Sequence, residues 1–155
     1  MKKHITVIYT TVLIHNLIMA HCQVPCGIYD DVLRILQIKE DFNTINKAMD
    51  KIRELSQFSD EVSHNQLIRW VTTKEEHASN IQKIVSNYFL TQRIKETNQK
   101  YIDQTTTLQR LLVVAMKCKQ NLEEENVNKG LNLVTYFSEI YFDSHGLEHL
   151  EKMGN

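Results

Sequence analysis

Apolar residues recur at spacings of three and four along most of this chain, which is the pattern of helices that bury one face. In a first predicted helix, residues 31–56, one face carries Ile35, Ile38, Phe42, Ile45, Met49 and Ile52. Asp30 or Asp31 suits the N-cap of this helix, because a short carboxylate accepts hydrogen bonds from the first backbone amides.

The same pattern predicts three further helices, at about residues 63–90, 105–120 and 126–142. The second carries a stripe of Leu67, Trp70, Val71, Ala78, Ile81, Val85 and Tyr88, and the fourth one of Val127, Leu131, Val134, Phe137 and Tyr141. Pro25 is the only proline, and no segment has a convincing strand pattern. Because amphipathic helices must cover one another, we expect an all-α fold, an antiparallel up-and-down four-helix bundle over residues 30–155.

The first 20 residues are organised like a cleaved leader or secretory signal peptide. A basic start at Lys2 and Lys3 precedes a mostly apolar run over residues 5–18, and the small residue Ala20 stands at the expected cut. Two polar residues interrupt the run, which is shorter than the ~20 apolar residues of a membrane span. We therefore expect a periplasmic or secreted protein with no membrane anchor in its mature form. The alternative is a cytoplasmic protein that is cut by a dedicated leader peptidase.

Cleavage would leave 135 residues, a length suited to one domain. Without Lys2 and Lys3, 16 basic residues face 19 acidic ones, so the net charge is about −3 with neutral histidines. This balance, with no basic block, argues against nucleic acid as a partner.

Three cysteines remain in the mature chain: Cys22, Cys26 and Cys118. An odd number does not suit a framework of disulfides. Cys118 follows the apolar positions of the third predicted helix, so we interpret it as a small buried side chain without chemistry.

Cleavage after residue 20 would make His21 the first residue, and this creates a set of metal ligands. The new α-amine and the amide nitrogen of Cys22 form one chelate ring, the thiolate of Cys22 closes a second, and the thiolate of Cys26 supplies a fourth donor. Pro25 tightens the turn between the two thiolates. Two nitrogen and two sulfur donors in one plane favour Ni(II) or Cu(II). We call residues 21–29 the hook.

The hook resembles the H-C-x-x-P-C-G-x-Y signature of nickel superoxide dismutases, which it matches at His21, Cys22, Pro25, Cys26, Gly27 and Tyr29. Residues 65–77 and 88–95 also look like the corresponding helix and loop of marine bacterial members. The resemblance covers nearly all of the mature chain.

The resemblance implies one nickel ion per subunit, bound by the amine of His21 and by Cys22 and Cys26, with the imidazole of His21 joining as an axial ligand of Ni(III). It implies dismutation of superoxide to oxygen and hydrogen peroxide through a Ni(II)/Ni(III) cycle. Tyr29 and Tyr88 would position the small anion and water over the open face without binding nickel. The family also forms homohexamers, which would cover each hook with neighbouring subunits.

One position departs from the family, which often has a glutamate two residues after an arginine on the first helix to hold the axial histidine. Alignment of that arginine with Arg34 puts Leu36 at the glutamate position. Because such partners orient ligands and tune metals, the support of His21 is expected to differ here. Arg69 is a candidate for the basic partner that the family places nearby, although a solvated helix arginine is an equally good interpretation.

The remaining histidines predict no second metal site. His145 and His149 stand four residues apart with Gly146 between them, and we interpret them as an exposed pair. His64 and His77 are both expected to face solvent.

Two other classes of function stay open at this point. A non-catalytic exported helical protein that binds nickel or copper would use the same ligands but would not need Tyr29 and Tyr88. A helical interaction module in which Cys22 and Cys26 pair as a disulfide would bind no metal, and residues left ahead of His21 would not affect it.

Overall fold

The computed structural model describes residues 30–154, which contain helices and no strand. Four long helices, α1 (Asp31–Leu55), α2 (Glu61–Lys83), α3 (Tyr101–Gln120) and α4 (Glu124–Tyr141), are followed by a short helix, α5 (Ser144–Gly154). The segment Ile84–Arg93 continues α2 as a π-helix. The all-α prediction is thereby confirmed, while residues 1–29, which contain the predicted leader and the hook, lie outside the described range.

Aspartates fix where the first two helices begin. The carboxylate of Asp30 accepts a hydrogen bond from the Val32 amide at 2.8 Å, which confirms it as the N-cap of α1. Asp60 caps α2 in the same way, because it accepts from the amides of Val62 and Ser63. α2 therefore begins two residues earlier than predicted.

A fifth helix was not predicted. Gly146 lies in this segment, and glycine lowers helix propensity. Two local features outweigh that cost. The side chain of Asp143 accepts a hydrogen bond from the Gly146 amide at 2.8 Å, and Leu150 is buried where α5 packs against α1.

Each of the four long helices packs against two of the others: α1 contacts α2 and α4, and α3 contacts the same two. The predicted face of α1 is confirmed, because all six of its apolar residues are buried. The largest side chains at the centre of the core are Phe42, Phe89, Phe137, Ile35, Ile38, Ile45, Met49, Ile81, Leu108 and Leu111.

The predicted stripe of α2 is buried only in its second half. Leu67 and Trp70 are half-buried, Val71 is exposed, and the first fully buried residue of the helix is Lys74. The cause lies in α3, which ends at Gln120 beside Lys74: the Lys74 ammonium donates hydrogen bonds to carbonyls in the last turn of α3. The turns of α2 before Lys74 extend beyond that end and lack its cover.

No helix within residues 30–154 is both long enough and apolar enough to cross a membrane.

Candidate functional site

The π-helical end of α2 holds the one predicted site residue that the structure describes, Tyr88. A π-helix closes i→i+5 hydrogen bonds and widens the turn, and such turns are frequent at functional sites. Side chains follow the same spacing: Thr91 bonds the carbonyl of Ser86, and the Arg93 guanidinium donates to the Tyr88 oxygen at 2.8 Å. The wide turn therefore brings Arg93 onto the phenol of Tyr88.

A cluster of four polar side chains joins this segment to α1 and α4. We call it the Asp31 cluster; it consists of Asp31, Tyr88, Arg93 and Tyr141. One carboxylate oxygen of Asp31 accepts from the Tyr88 hydroxyl and from Arg93 Nε, the latter at 2.8 Å. The other oxygen accepts from the Tyr141 hydroxyl at 2.8 Å. Asp31 lies in the first turn of α1 and follows the last residue of the hook by two positions in the chain.

Two positive charges flank the ring of Tyr88. The guanidinium carbon of Arg93 lies 5.0 Å from the ring centroid and that of Arg34 lies 5.4 Å from it. Cations at this distance are attracted to the negative face of an aromatic ring. They also favour the approach of a small anion to this end of the molecule.

The phenols of the cluster stay neutral through the physiological range. Burial raises the pKa of Tyr88 above its ordinary value, and the neighbouring Asp31 carboxylate raises it further. The same two causes, in the same order, raise the pKa of Tyr141. Burial works against the charge of Arg93, but its bond to Tyr88 and the charge of Asp31 outweigh this and leave its pKa raised.

Three members of the cluster were missed from the sequence. Asp31 was interpreted only as a possible helix cap and Tyr141 only as part of a core stripe, while Arg93 lay in a stretch quoted for resemblance without a role. Helical spacing says which residues share a face, but these residues come from three elements. One feature of the sequence could have indicated Tyr141. It is a tyrosine in a stripe that was predicted to be buried, and a buried phenol hydroxyl needs a hydrogen-bond partner.

The other predicted site residues, His21, Cys22, Cys26 and Tyr29, lie outside the described range. Their donor types, thiolate and nitrogen, fit nickel, although they would also suit copper. Among residues 30–154, no group of three or more His, Cys, Asp or Glu side chains could hold a metal ion.

Leu36, which stands where the family often has a glutamate, packs into the apolar contact between α1 and α5. It is half-buried against the core, and its side chain lies near Gly154 at the end of α5. α5 also brings His149 within 3.8 Å of the Asp30 carboxylate, although both side chains are largely exposed. Because α5 covers this part of α1, an apolar side chain at position 36 is favoured over a charged one.

Arg69 lies far from the Asp31 cluster within one chain. It is exposed on the part of α2 that extends past α3, with Gln66 as its neighbour at 3.5 Å. Tyr88 is 19 residues further on, which at 1.5 Å per residue is about 28 Å along the helix. The interpretation as a solvated helix arginine fits this position.

The expectation that His77 faces solvent was wrong, whereas His64 is exposed as expected. His77 is about two-thirds buried, and its Nδ1 lies 2.6 Å from the buried carboxylate of Asp41. Asn80 donates to the other oxygen of Asp41 at 2.7 Å. Burial raises the pKa of Asp41, and the bonds from His77 and Asn80 offset part of that effect. These three residues form a polar contact between α1 and α2.

Comparison with known families gives a single assignment. Residues 16–145 match the family model of the nickel-containing superoxide dismutases. The match spans the hook, the Asp31 cluster and the four long helices, and it ends at the start of α5. No match was found among curated proteins or among solved structures.

A helical protein with this match is a metal-dependent oxidoreductase. The chain belongs to the nickel-containing superoxide dismutase family. It is accordingly an enzyme that takes superoxide as its substrate and nickel as its cofactor.

Proposed function

We propose that this chain dismutates superoxide with a nickel ion held by the hook, once cleavage between Ala20 and His21 has made His21 the first residue. The observation that carries the proposal is the sequence of residues 21–29, which supplies a complete donor set and ends two positions before Asp31 in the chain. The hook would form one unit, residues 21–29, ahead of the helical unit of residues 30–155.

The proposed ligands are the α-amine and imidazole of His21, the amide nitrogen and thiolate of Cys22, and the thiolate of Cys26. Bound nickel would supply one-electron redox chemistry through a Ni(II)/Ni(III) cycle. The two thiolates and the deprotonated amide donate negative charge, which favours the higher oxidation state. The free amine is essential, because an extended chain would offer an amide at the same place.

Tyr29 and Tyr88 are the proposed residues that orient superoxide and water. Tyr88 is 5% exposed and has a neutral phenol, so it can orient a small polar molecule without adding negative charge. Arg34 and Arg93 beside its ring give the approach a positive field, which favours an anionic substrate.

For the described helices we propose the antiparallel up-and-down four-helix bundle. Hydrogen bonds support opposite directions for neighbours: along α2, Lys74 and then Gln82 bond the carbonyls of Cys118 and then Leu112 of α3. The hydrogen bond from Tyr141 at the end of α4 to Asp31 at the start of α1 likewise supports opposite directions for α1 and α4.

We also propose a homohexamer, and a periplasmic or secreted location after a signal or leader peptidase has acted. The exposed apolar residues Ile68 and Val71 on the uncovered part of α2 suit contact with another subunit. The basic and apolar organisation of residues 1–20 supports export.

The test compares two forms of the protein, one beginning at His21 and one retaining Ala20, each loaded with Ni(II). Superoxide dismutation per bound nickel is measured by following superoxide decay directly. The form beginning at His21 should turn over fast and lose activity when nickel is removed, and the extended form should lose nearly all activity while its helices stay intact by circular dichroism.

Cys22→Ser and Cys26→Ser should each abolish the activity, and Cys118→Ser is the matched control that should keep it, since Cys118 is buried in α3. Full activity of the form that retains Ala20 would contradict the proposed ligand set. Stoichiometric nickel without turnover would instead favour a non-catalytic exported protein that binds nickel or copper.

A further inference from the structure

The hydroxyl group of Tyr88 is fixed from two sides. It donates to Asp31 and accepts from Arg93 at 2.8 Å. A phenol has one hydrogen and two acceptor lone pairs. Its only hydrogen is thus directed at the carboxylate, and one lone pair is occupied by the guanidinium.

Asp31 and Arg93 are themselves held in place. Arg93 Nε donates to Asp31, and the Tyr141 hydroxyl donates to the second oxygen of that carboxylate, both at 2.8 Å. The ring of Tyr141 is stacked on Phe137, with centroids 5.1 Å apart, and meets the edge of Phe89 at 5.6 Å. The cluster thereby ties the first turn of α1 to the π-helical segment and to the last turn of α4.

The charged groups around the phenol act on its ionisation in opposite directions. Among the described residues, the charged and titratable groups near Tyr88 are Asp31 and Arg34 from α1, Arg93 from its own segment and Tyr141 from α4. A carboxylate beside a phenol disfavours its ionisation, whereas a guanidinium favours it. The ionisation of Tyr88 therefore depends on Asp31 and Arg93 in opposite directions.

We propose that Asp31, Arg93 and Tyr141 are positioning residues that hold Tyr88 as an oriented neutral phenol for dismutation. This rests on the proposed role of Tyr88. Because the hydroxyl hydrogen is committed to Asp31, Tyr88 neither releases its own proton nor donates a hydrogen bond to superoxide, and it acts on superoxide through water. The protons that dismutation consumes come from water.

The experiment uses Asp31→Asn and Arg93→Gln, with Asp50→Asn and Arg110→Gln as matched controls at exposed positions. Ionisation of Tyr88 is followed by NMR of protein labelled at the phenolic ring carbon of tyrosine, with the signal assigned by its loss in Tyr88→Phe. It is measured both in the full chain and in the nickel-loaded form that begins at His21. The dependence of kcat/KM on pH is measured in the nickel-loaded form.

Asp31→Asn should lower the pKa of Tyr88, and Arg93→Gln should raise it. The alkaline decline of kcat/KM should move in the same two directions, at unchanged nickel content. At neutral pH, Arg93→Gln should lower kcat/KM by about tenfold, because a phenol that has lost one of its fixing bonds is less precisely placed. Arg93→Lys, which keeps the charge, should leave the pKa of Tyr88 closer to that of the unmodified protein.

The proposal is overturned if both substitutions move the Tyr88 titration in the same direction, or if the titration moves while the alkaline decline of kcat/KM does not. If Asp31→Asn does not fold, the proposal is tested with Arg93→Gln and Arg93→Lys. Equal pKa values of Tyr88 in these two variants would overturn it. If the unmodified nickel-loaded protein shows no dismutation, the proposed function is contradicted instead. The titration of Tyr88 in the full chain does not depend on activity, so it distinguishes this failure from that of the positioning proposal.

Discussion

At the scale of single residues, a few polar side chains inside the helical core determine how the helices meet. Lys74 is the clearest case, with only 3% of its surface exposed. Its ammonium donates to the carbonyl of Cys118 at 2.8 Å and to that of Lys119. The last carbonyls of a helix have no partner within the helix, so a buried cation there satisfies them and complements the helix dipole.

Lys74→Met should therefore destabilise the fold by about 1–3 kcal/mol, because two carbonyls of the last turn of α3 lose a charged donor. Chemical denaturation followed by circular dichroism measures this free energy of unfolding. Lys83→Met is the control, since Lys83 lies on the same helix with an exposed side chain. Equal stability of the two variants would show that Lys74 is not needed as a cap.

Cys118 should resist alkylation in the folded protein, because burial raises the pKa of its thiol to about 11, with the charge of Lys74 offsetting part of that effect. Only the thiolate reacts, so at about pH 8 labelling should be slow until the chain is unfolded. The folded pKa is raised, so the contribution of Cys118 to stability is present below its ordinary pKa of 9.0 and is lost as pH rises to about 11.

Mass spectrometry of labelled peptides, with and without denaturant, measures the reaction at Cys118 alone. Rapid labelling of this residue in the native state would show that the thiol is reachable and that its predicted buried role is wrong.

At the scale of elements, α5 and the π-helical segment determine the surroundings of the first turns of α1, because both contact α1 near its start. α5 begins where the family match ends, and it covers Leu36 on α1. The apolar residue at this position and the additional helix are therefore coupled: a carboxylate at position 36 would have to be buried beneath α5.

Leu36→Glu, which restores the glutamate that the resemblance implies, should loosen α5. We expect a cost of about 1–2 kcal/mol, because a charge would be partly buried against apolar surface. Hydrogen exchange of residues 144–154 measures this, and it should become faster while α3 stays protected. Leu33→Glu is the matched control, since Leu33 is on the same helix and 47% exposed. Unchanged exchange in the Leu36 variant would contradict the coupling.

At the scale of the whole molecule, the turns of α2 before Lys74 are the part of the described surface that bears on the proposed assembly. Ile68 is 66% exposed and Val71 38% exposed, on turns that α3 does not reach. Neighbouring exposed apolar residues on a soluble protein are typical of contact surfaces between proteins.

If the proposed homohexamer uses this surface, Ile68→Asp should shift the protein to smaller assemblies, because a charge would be desolvated in the subunit contact. Light scattering coupled to gel filtration measures the mass of the assembly. Ile102→Asp is the control at a position that is 69% exposed on another helix. If neither variant changes the mass, α2 does not form the contact.

Much of the architecture follows from the sequence alone. Helical spacing predicted the ends of α1 and α4 to within two residues, and every apolar residue that it assigned to the face of α1 is buried, because local periodicity reports directly on which face is covered. The resemblance to the family followed from six matched positions of the hook and from residues 65–77 and 88–95, and the family match over residues 16–145 confirms it. The ligand set itself stays a prediction, because His21, Cys22 and Cys26 lie outside the described residues.

Tertiary structure alone decided what each helix is covered by and which distant polar side chains meet. The uncovered half of α2 depends on where α3 ends, which no pattern within α2 records. The Asp31 cluster joins residues that are up to 110 positions apart in the chain. Spacing along a helix predicts on which face a side chain lies, but its partner on another helix is determined by how the helices pack. The hydrogen bonds of Tyr88 to Asp31 and Arg93 could therefore be found only in the folded structure.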